Sequence, residues 1–174
     1  MGNPGHLWLL GLSGSGKSTV GPRLAQSLGR PWTDTDAEIV KESGKAVPEI
    51  FRTEGEEAFR EKEAKVLAKV AAGPASVISC GGGIVLRQSN RKILASTGNR
   101  IYLRSDPATL ARRLHSAPDR PLLSGHPPEV ILARQFDQRS SWYEESEIQI
   151  DVTRLTPDEV VDGIRKKLPA PWSR

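Results

Sequence analysis

Eight consecutive residues, Gly11-Leu12-Ser13-Gly14-Ser15-Gly16-Lys17-Ser18, constrain this chain more than any other stretch. A glycine, four free positions and then Gly-Lys-Ser is the pattern of a phosphate-binding loop. The apolar run Leu7-Trp8-Leu9-Leu10 before it predicts a buried strand, and Thr19 to Leu28 after it predicts a helix. Between strand and helix, the glycines let the backbone bend until several N–H groups converge on one phosphate. The helix N-terminus adds partial positive charge and unpaired donors. Gly14, Ser15, Gly16, Lys17, Ser18 and Thr19 are therefore candidate nucleotide contacts. Lys17 would reach the β- and γ-phosphates and the Ser18 hydroxyl would ligate Mg²⁺. A Gly/Ser surface turn ahead of a helix is the plain alternative, and the flanking strand and helix argue against it.

Elsewhere short apolar runs alternate with amphipathic ones. A helix holding Ala37, Ile39 and Val40 follows Asp34-Thr35-Asp36. Residues 47–71 read as a short helix and a longer one, the latter striped by Phe59, Val66, Leu67 and Val70. Strands are expected at 76–80, 100–103 and 148–152, and helices near 89–95, 106–114, 129–143 and 157–168. Asp106-Pro107 and Thr156-Pro157-Asp158-Glu159 carry helix-start chemistry. Strands that are apolar throughout, separated by helices, predict an α/β fold with a parallel sheet covered on both faces. Ligands then gather at the carboxyl ends of the strands. From His115 to Pro128 the prolines 118, 121, 127 and 128 exclude regular helix and central strand, which suggests a lid or a link. Trp8 and Trp32 are expected in the core, and the tail from Pro169 is expected to be loose.

Composition narrows the partners. The 174 residues are 37% hydrophobic and 26% charged, enough for one water-soluble domain with a core. No apolar run approaches the ~20 residues of a membrane span. Residues 1–6 lack a basic region followed by a long apolar core, so no signal peptide is expected. The net charge of +4 comes from dispersed basic residues, which small anionic ligands explain without nucleic acid. One cysteine, Cys80, rules out an internal disulfide and agrees with a cytoplasmic protein. Three scattered histidines give no zinc spacing.

Further candidates lie at the predicted strand ends. Asp34 and Asp36 can hold Mg²⁺ through water and take a hydroxyl proton, or one of them can simply cap the next helix. Glu63 falls on or beside the apolar stripe, where a carboxylate needs a partner. Arg60 can be that partner, held rigid for a ligand carboxylate, or it can form a surface pair with Glu56. Gly81-Gly82-Gly83 fits a place where a ligand approaches the main chain, or else a flexible turn. Arg120, in the proline-rich stretch, can close over a transferring phosphoryl group, and Arg139 is a second anion clamp. Pro22 falls inside the helix after the phosphate loop, where a kink is expected.

In this order, Asp34-Thr35-Asp36, Phe59-Arg60 with Glu63, Gly81-Gly82-Gly83, Arg120-Pro121-Leu122-Leu123 and Arg139, the set resembles shikimate kinase over roughly residues 7–168. The resemblance implies a P-loop, nucleoside-monophosphate-kinase-like fold with a five-stranded parallel sheet of order 2-3-1-4-5. It implies one kinase domain over 1–174, with its core at 7–168, a substrate-binding region near 35–63 and a lid near 115–128. The implied reaction is phosphorylation of shikimate by ATP with Mg²⁺, carried out by a monomer. Lys17 would bind phosphate, Ser18 and Asp34 would hold the metal, and Asp36 would orient the hydroxyl and take its proton. Arg60 and Arg139 would bind the substrate carboxylate, with Glu63 behind Arg60 and Gly81, Gly82 and Gly83 in backbone contact. Phe51 and Phe59 match apolar wall positions, Arg113 a position near the adenine, and Arg120 would come down with the lid. A gluconate kinase of the same group, or a P-loop protein without catalysis, are the competing readings.

Overall fold

The apolar run at residues 7–10 becomes the middle strand of a five-stranded parallel sheet. The computed structural model describes residues 5–115 and 125–172. In it, β1 (His6–Leu10) is buried along its whole length, because helices cover both faces of the sheet. It pairs with β3 (Val77–Ser79) on one side and β4 (Gly98–Arg104) on the other. The edges are β2 (Trp32–Asp34) and β5 (Ile148–Asp151), so the order is β2-β3-β1-β4-β5, as the resemblance implied. Register sets Asp34 opposite Ser79, with Leu9 beside Ser79 on the far side. The aspartate therefore ends its strand level with the start of the glycine run.

Side chains of β1 alternate between two cores, as a strand with covered faces requires. Leu7 and Leu9 join Val20 and Leu24 of α1 (Lys17–Leu28) and Val160 and Ile164 of α8 (Pro157–Lys167). Trp8 and Leu10 face the opposite way. They pack with Leu67 of α4 (Glu56–Ala71), Leu94 of α5 (Gln88–Thr97), Leu110 of α6 (Pro107–His115) and Leu132 of α7 (Pro128–Glu144). A smaller cluster of Ile39, Ile50, Phe59 and Val66 fastens α2 (Thr35–Ser43) and α3 (Val47–Thr53) onto α4. Caps follow the local chemistry. Asp106 accepts the Thr109 N–H at 2.9 Å, and Thr156 with Glu159 forms a capping box. Helix α1 is continuous across Pro22.

Three expectations need revision or fall away. Trp32 is 40% exposed rather than core, because it lies on an edge strand. Its indole N–H still finds a partner, donating to Ser79 Oγ at 3.0 Å, and Ser79 Oγ donates to the Lys17 carbonyl at 2.6 Å. Only a glycine at position 21 leaves room for this contact: a Cβ there would meet Ser79 Oγ at 2.3 Å. The tail is not loose as far as Trp172. That ring is 4% exposed in the α1/α8 core, with the Arg30 guanidinium 5.4 Å from its centre. A large aromatic gains enough by burial to hold a terminal segment down. Most of the expected lid, together with Arg120, lies outside the described residues. Among the described residues, no helix is long and apolar enough to cross a membrane.

Candidate active site

The phosphate loop is built by glycines at left-handed backbone angles, Gly14 at φ 85° and Gly16 at φ 95°, the latter opening α1. Ser15 is buried beneath the loop. Lys17 folds back into it, its ammonium donating to the carbonyls of Gly11 at 2.6 Å and Leu12 at 3.0 Å. These are contacts that a phosphate can replace without moving the helix. Ser18 and Thr19 line the cleft at the mouth of α1. Arg113, on α6, donates to the carbonyls of Gly14 at 3.2 Å and Val152 at 3.1 Å, tying the loop to the end of β5.

Asp34 takes both of the roles open to it. One oxygen caps α2, accepting the N–H groups of Asp36 at 2.9 Å and Ala37 at 3.1 Å. Its other oxygen accepts the Ser18 hydroxyl at 2.8 Å. The capping bonds fix the carboxylate, so a hydroxyl and a carboxylate oxygen stand together at the rim of the cleft. Two hard oxygen ligands of this kind suit Mg²⁺, which keeps waters and nucleotide oxygens for its other positions. Among the described residues there is no cluster of three or more His, Cys, Asp or Glu that would suggest a metal bound by protein alone.

One cleft of about 480 Å³ brings nearly all of these residues together. Besides the loop it is lined by Asp34, Asp36, Phe51, Phe59, Arg60, Glu63, the three glycines and Arg139. Arg60 is 5% exposed and sits 2.9 Å from Glu63 Oε1, with Glu56 at 3.4 Å, so both pairings open to the sequence exist. The buried one dominates, since the Glu56 side chain is largely in solvent. Glu63 itself is 1% exposed. Burial raises its pKa to about 7, against the pull of Arg60 and with a further push from Asp36. Arg60 Nε, Arg139 Nε and Glu63 Oε2 are buried without a hydrogen-bond partner. Such atoms mark a place where a polar ligand completes the bonding.

The glycine run serves the protein's own side chains as well as any ligand. A Cβ on Gly83 would lie 2.2 Å from Arg60 Nη1, and one on Gly81 would lie 2.7 Å from Asp36 Oδ1. Gly81 N–H donates to Thr35 Oγ1 at 2.9 Å, and the Gly82 carbonyl accepts the Tyr143 hydroxyl. Thr35 and Tyr143 escaped the sequence reading, as did Val47, Pro48 and Gln135 on the cleft wall. Thr35 lies inside the Asp-Thr-Asp motif, and Tyr143 lies one helical turn after Arg139, so spacing alone could have raised both. Cys80, expected only as a buried strand residue, is buried and also borders the cleft, and burial pushes its thiol pKa well up. Arg113 is not on the cleft lining, and Arg120 lies outside the described residues.

Comparison with known proteins gives concordant results. A family model described as shikimate kinase matches residues 13–169. A shikimate kinase of Symbiobacterium thermophilum is 44% identical over 169 residues, covering 94% of this chain and 95% of that protein. The solved shikimate kinase from Acinetobacter baumannii in complex with shikimate superposes with a TM-score of 0.89 at 33% identity, covering 92% of this chain and 90% of that one. A gluconokinase from Sinorhizobium meliloti, at 22% identity and a TM-score of 0.61, shares the fold alone; it covers 97% of this chain and 93% of that one.

Proposed function

The chain belongs to the shikimate kinase family, and from that premise we propose how its cleft performs the reaction. ATP phosphorylates shikimate, giving shikimate 3-phosphate and ADP. In our reading Asp36 accepts the proton of the attacking hydroxyl as its oxygen bonds to the γ-phosphorus. The bond to the β,γ-bridging oxygen breaks, and ADP leaves with those electrons. Lys17 exchanges its loop carbonyls for phosphate oxygens, and the loop N–H groups hold the β-phosphate. Ser18 and Asp34 would hold Mg²⁺, which when bound offsets the charge on the β- and γ-phosphates. Arg113 sits beside the loop, suited to the nucleotide's outer part, and Arg120 is assigned to the closing lid on resemblance alone.

One observation carries the substrate assignment. Two buried arginines, Arg60 and Arg139, border the same cleft as the phosphate loop, each with an unsatisfied Nε. That pair suits a ligand carboxylate bound by charge-assisted bonds. The aromatic pair Phe51 and Phe59, with ring centres 4.7 Å apart, would pack against the carbon ring. A lone buried thiol and the absence of a basic run suit a cytoplasmic enzyme of small molecules acting as a monomer, which size-exclusion chromatography would check.

The deciding experiment is ADP release from Mg·ATP with shikimate, gluconate, AMP or no acceptor. Turnover is expected with shikimate alone. Equal or faster turnover with gluconate would overturn the arginine assignment while keeping the phosphate loop. Omitting Mg²⁺ in the same assay should abolish turnover.

A further inference from the structure

A side-chain relay holds the first turn of α1 from the side of the sheet. Trp32, on the edge strand β2, donates its indole N–H to Ser79 Oγ at 3.0 Å. Ser79, at the end of β3, donates in turn to the Lys17 carbonyl at 2.6 Å. An indole N–H can only donate, so the hydroxyl must accept from it, and its single proton is left for the carbonyl. A hydroxyl that accepts one bond also donates the next more strongly. Lys17 C=O and Ser18 N–H belong to one planar trans peptide and point in opposite directions. Fixing that carbonyl therefore sets the direction of the Ser18 N–H, one of the donors left unpaired by the helix at its start. The neighbouring residues suit this hold. A Cβ at position 21 would lie 2.3 Å from Ser79 Oγ and 2.4 Å from Trp32 Nε1, so α1 gives up a side chain where the relay passes. Pro22 supplies no N–H to the Ser18 carbonyl, which weakens the helix's own grip on its first turn. The sheet makes up for it, with Ser79 on the Lys17 carbonyl and Asp34, its partner in register, on the Ser18 hydroxyl at 2.8 Å.

We propose that Ser79, its hydroxyl oriented by Trp32, is a positioning residue for nucleotide binding: it fixes the peptide between Lys17 and Ser18 so that the Ser18 N–H meets a phosphate oxygen of ATP. This rests on the assignment of the loop from Gly14 to Thr19 to the nucleotide. Lys17 and Ser18 line the cleft, whereas Trp32 and Ser79 stand behind it, so the effect is exerted through the backbone of α1. Without the relay, the peptide would have to be ordered as the phosphate arrives, and binding would bear that cost. A phenylalanine at position 32 would fill the same edge of the sheet but leave the Ser79 proton free to turn away from the carbonyl.

Ser79→Ala and Ser79→Thr test the proposal by steady-state kinetics. Ser79→Ala should raise the KM for Mg·ATP roughly three- to tenfold, as for loss of a hydrogen bond, while the KM for shikimate stays within about twofold of the parent. Ser79→Thr keeps the hydroxyl and should return the KM for Mg·ATP to near the parent value. A rise in Ser79→Ala smaller than about threefold, an equal rise in both KM values, or a threonine variant no better than the alanine one would overturn it. Hydrogen exchange of the indole protons, followed by NMR in the parent protein, supplies a readout that does not depend on a variant folding. The Trp32 indole N–H should exchange roughly tenfold more slowly than a free indole, although its ring is 40% exposed. Exchange at the free rate would equally overturn the proposal. Calorimetry of Mg·ATP binding to Lys17→Ala separates the two levels. If that variant binds as tightly as the parent, the nucleotide assignment itself fails. If its binding is weakened while Ser79→Ala is unaffected, only the positioning role fails.

Discussion

The phosphate loop and the arginine pair solve the problem of binding an anion by opposite means. The loop is one contiguous segment whose donors are mostly backbone, and its lysine is already bonded to loop carbonyls. In the proposed reading, binding there would be an exchange, phosphate oxygens for carbonyl oxygens. The arginine pair is assembled from α4 and α7, far apart in sequence, and leaves Arg60 Nε, Arg139 Nε and Glu63 Oε2 without partners. In the proposed reading, binding there would be a completion, with the ligand adding bonds to a region that has polar atoms to spare. A buried unpaired polar group costs about 1–3 kcal/mol. The arginine region therefore carries a polar cost that the loop, with its lysine already bonded, largely avoids.

The largest effect should come from a change that touches neither anion site. Asp36→Asn should keep ATP and shikimate binding near the parent values while kcat falls about 10²–10⁴-fold. Near-normal kcat would remove Asp36 from proton transfer. Next, Arg139→Ala should raise the KM for shikimate on the order of 10²-fold, the scale for truncating one partner of a buried charge contact. Its KM for ATP should stay within threefold, and a parallel rise would mean that the two regions are not separable. Third comes a paired glycine test. Gly83→Ala puts a Cβ 2.2 Å from Arg60 Nη1, and should raise the shikimate KM about tenfold while sparing ATP. Gly16→Ala, at φ 95°, should do the reverse by a similar factor.

The smallest expected effect concerns pH. The Glu63 pKa is raised from 4.5 to about 7 in the folded protein. The folded state then holds a proton that the unfolded chain has lost. Its stabilising contribution is fully present below about pH 4.5 and is lost as pH rises through about 7. Between pH 6 and 8 this amounts to roughly 1 kcal/mol, or a fall in Tm of about 2–4 °C. Glu63→Gln should flatten that part of the Tm profile, and an unchanged slope would mean that Glu63 is already ionised throughout.

This contrast also explains which parts could be read in advance. The loop, Asp34 and Asp36 were legible because their chemistry is local: a glycine pattern, a strand end and a helix cap lie within a few residues. The strand order came from resemblance, since periodicity gives strands but not their neighbours. Arg60 could not be assigned from spacing, because Glu56 and Glu63 both lie within reach on one helix and only burial separates them. For Tyr143 the spacing from Arg139 was legible, but its partner Gly82 was not, because it comes from a distant loop. Trp32 and Trp172 were misplaced for a similar reason: hydrophobicity says that a ring can be buried, and the topology decides whether it is.

Trp32 also has an optical consequence. Its indole is exposed to solvent on one side, while its N–H is joined through Ser79 Oγ to the backbone of Lys17, the residue we assign to the phosphate. The other described tryptophans are shielded to a greater degree, with Trp8 and Trp172 buried. The emission of Trp32 is therefore expected to change when nucleotide binds at the first turn of α1, and a label-free titration with Mg·ATP would check it.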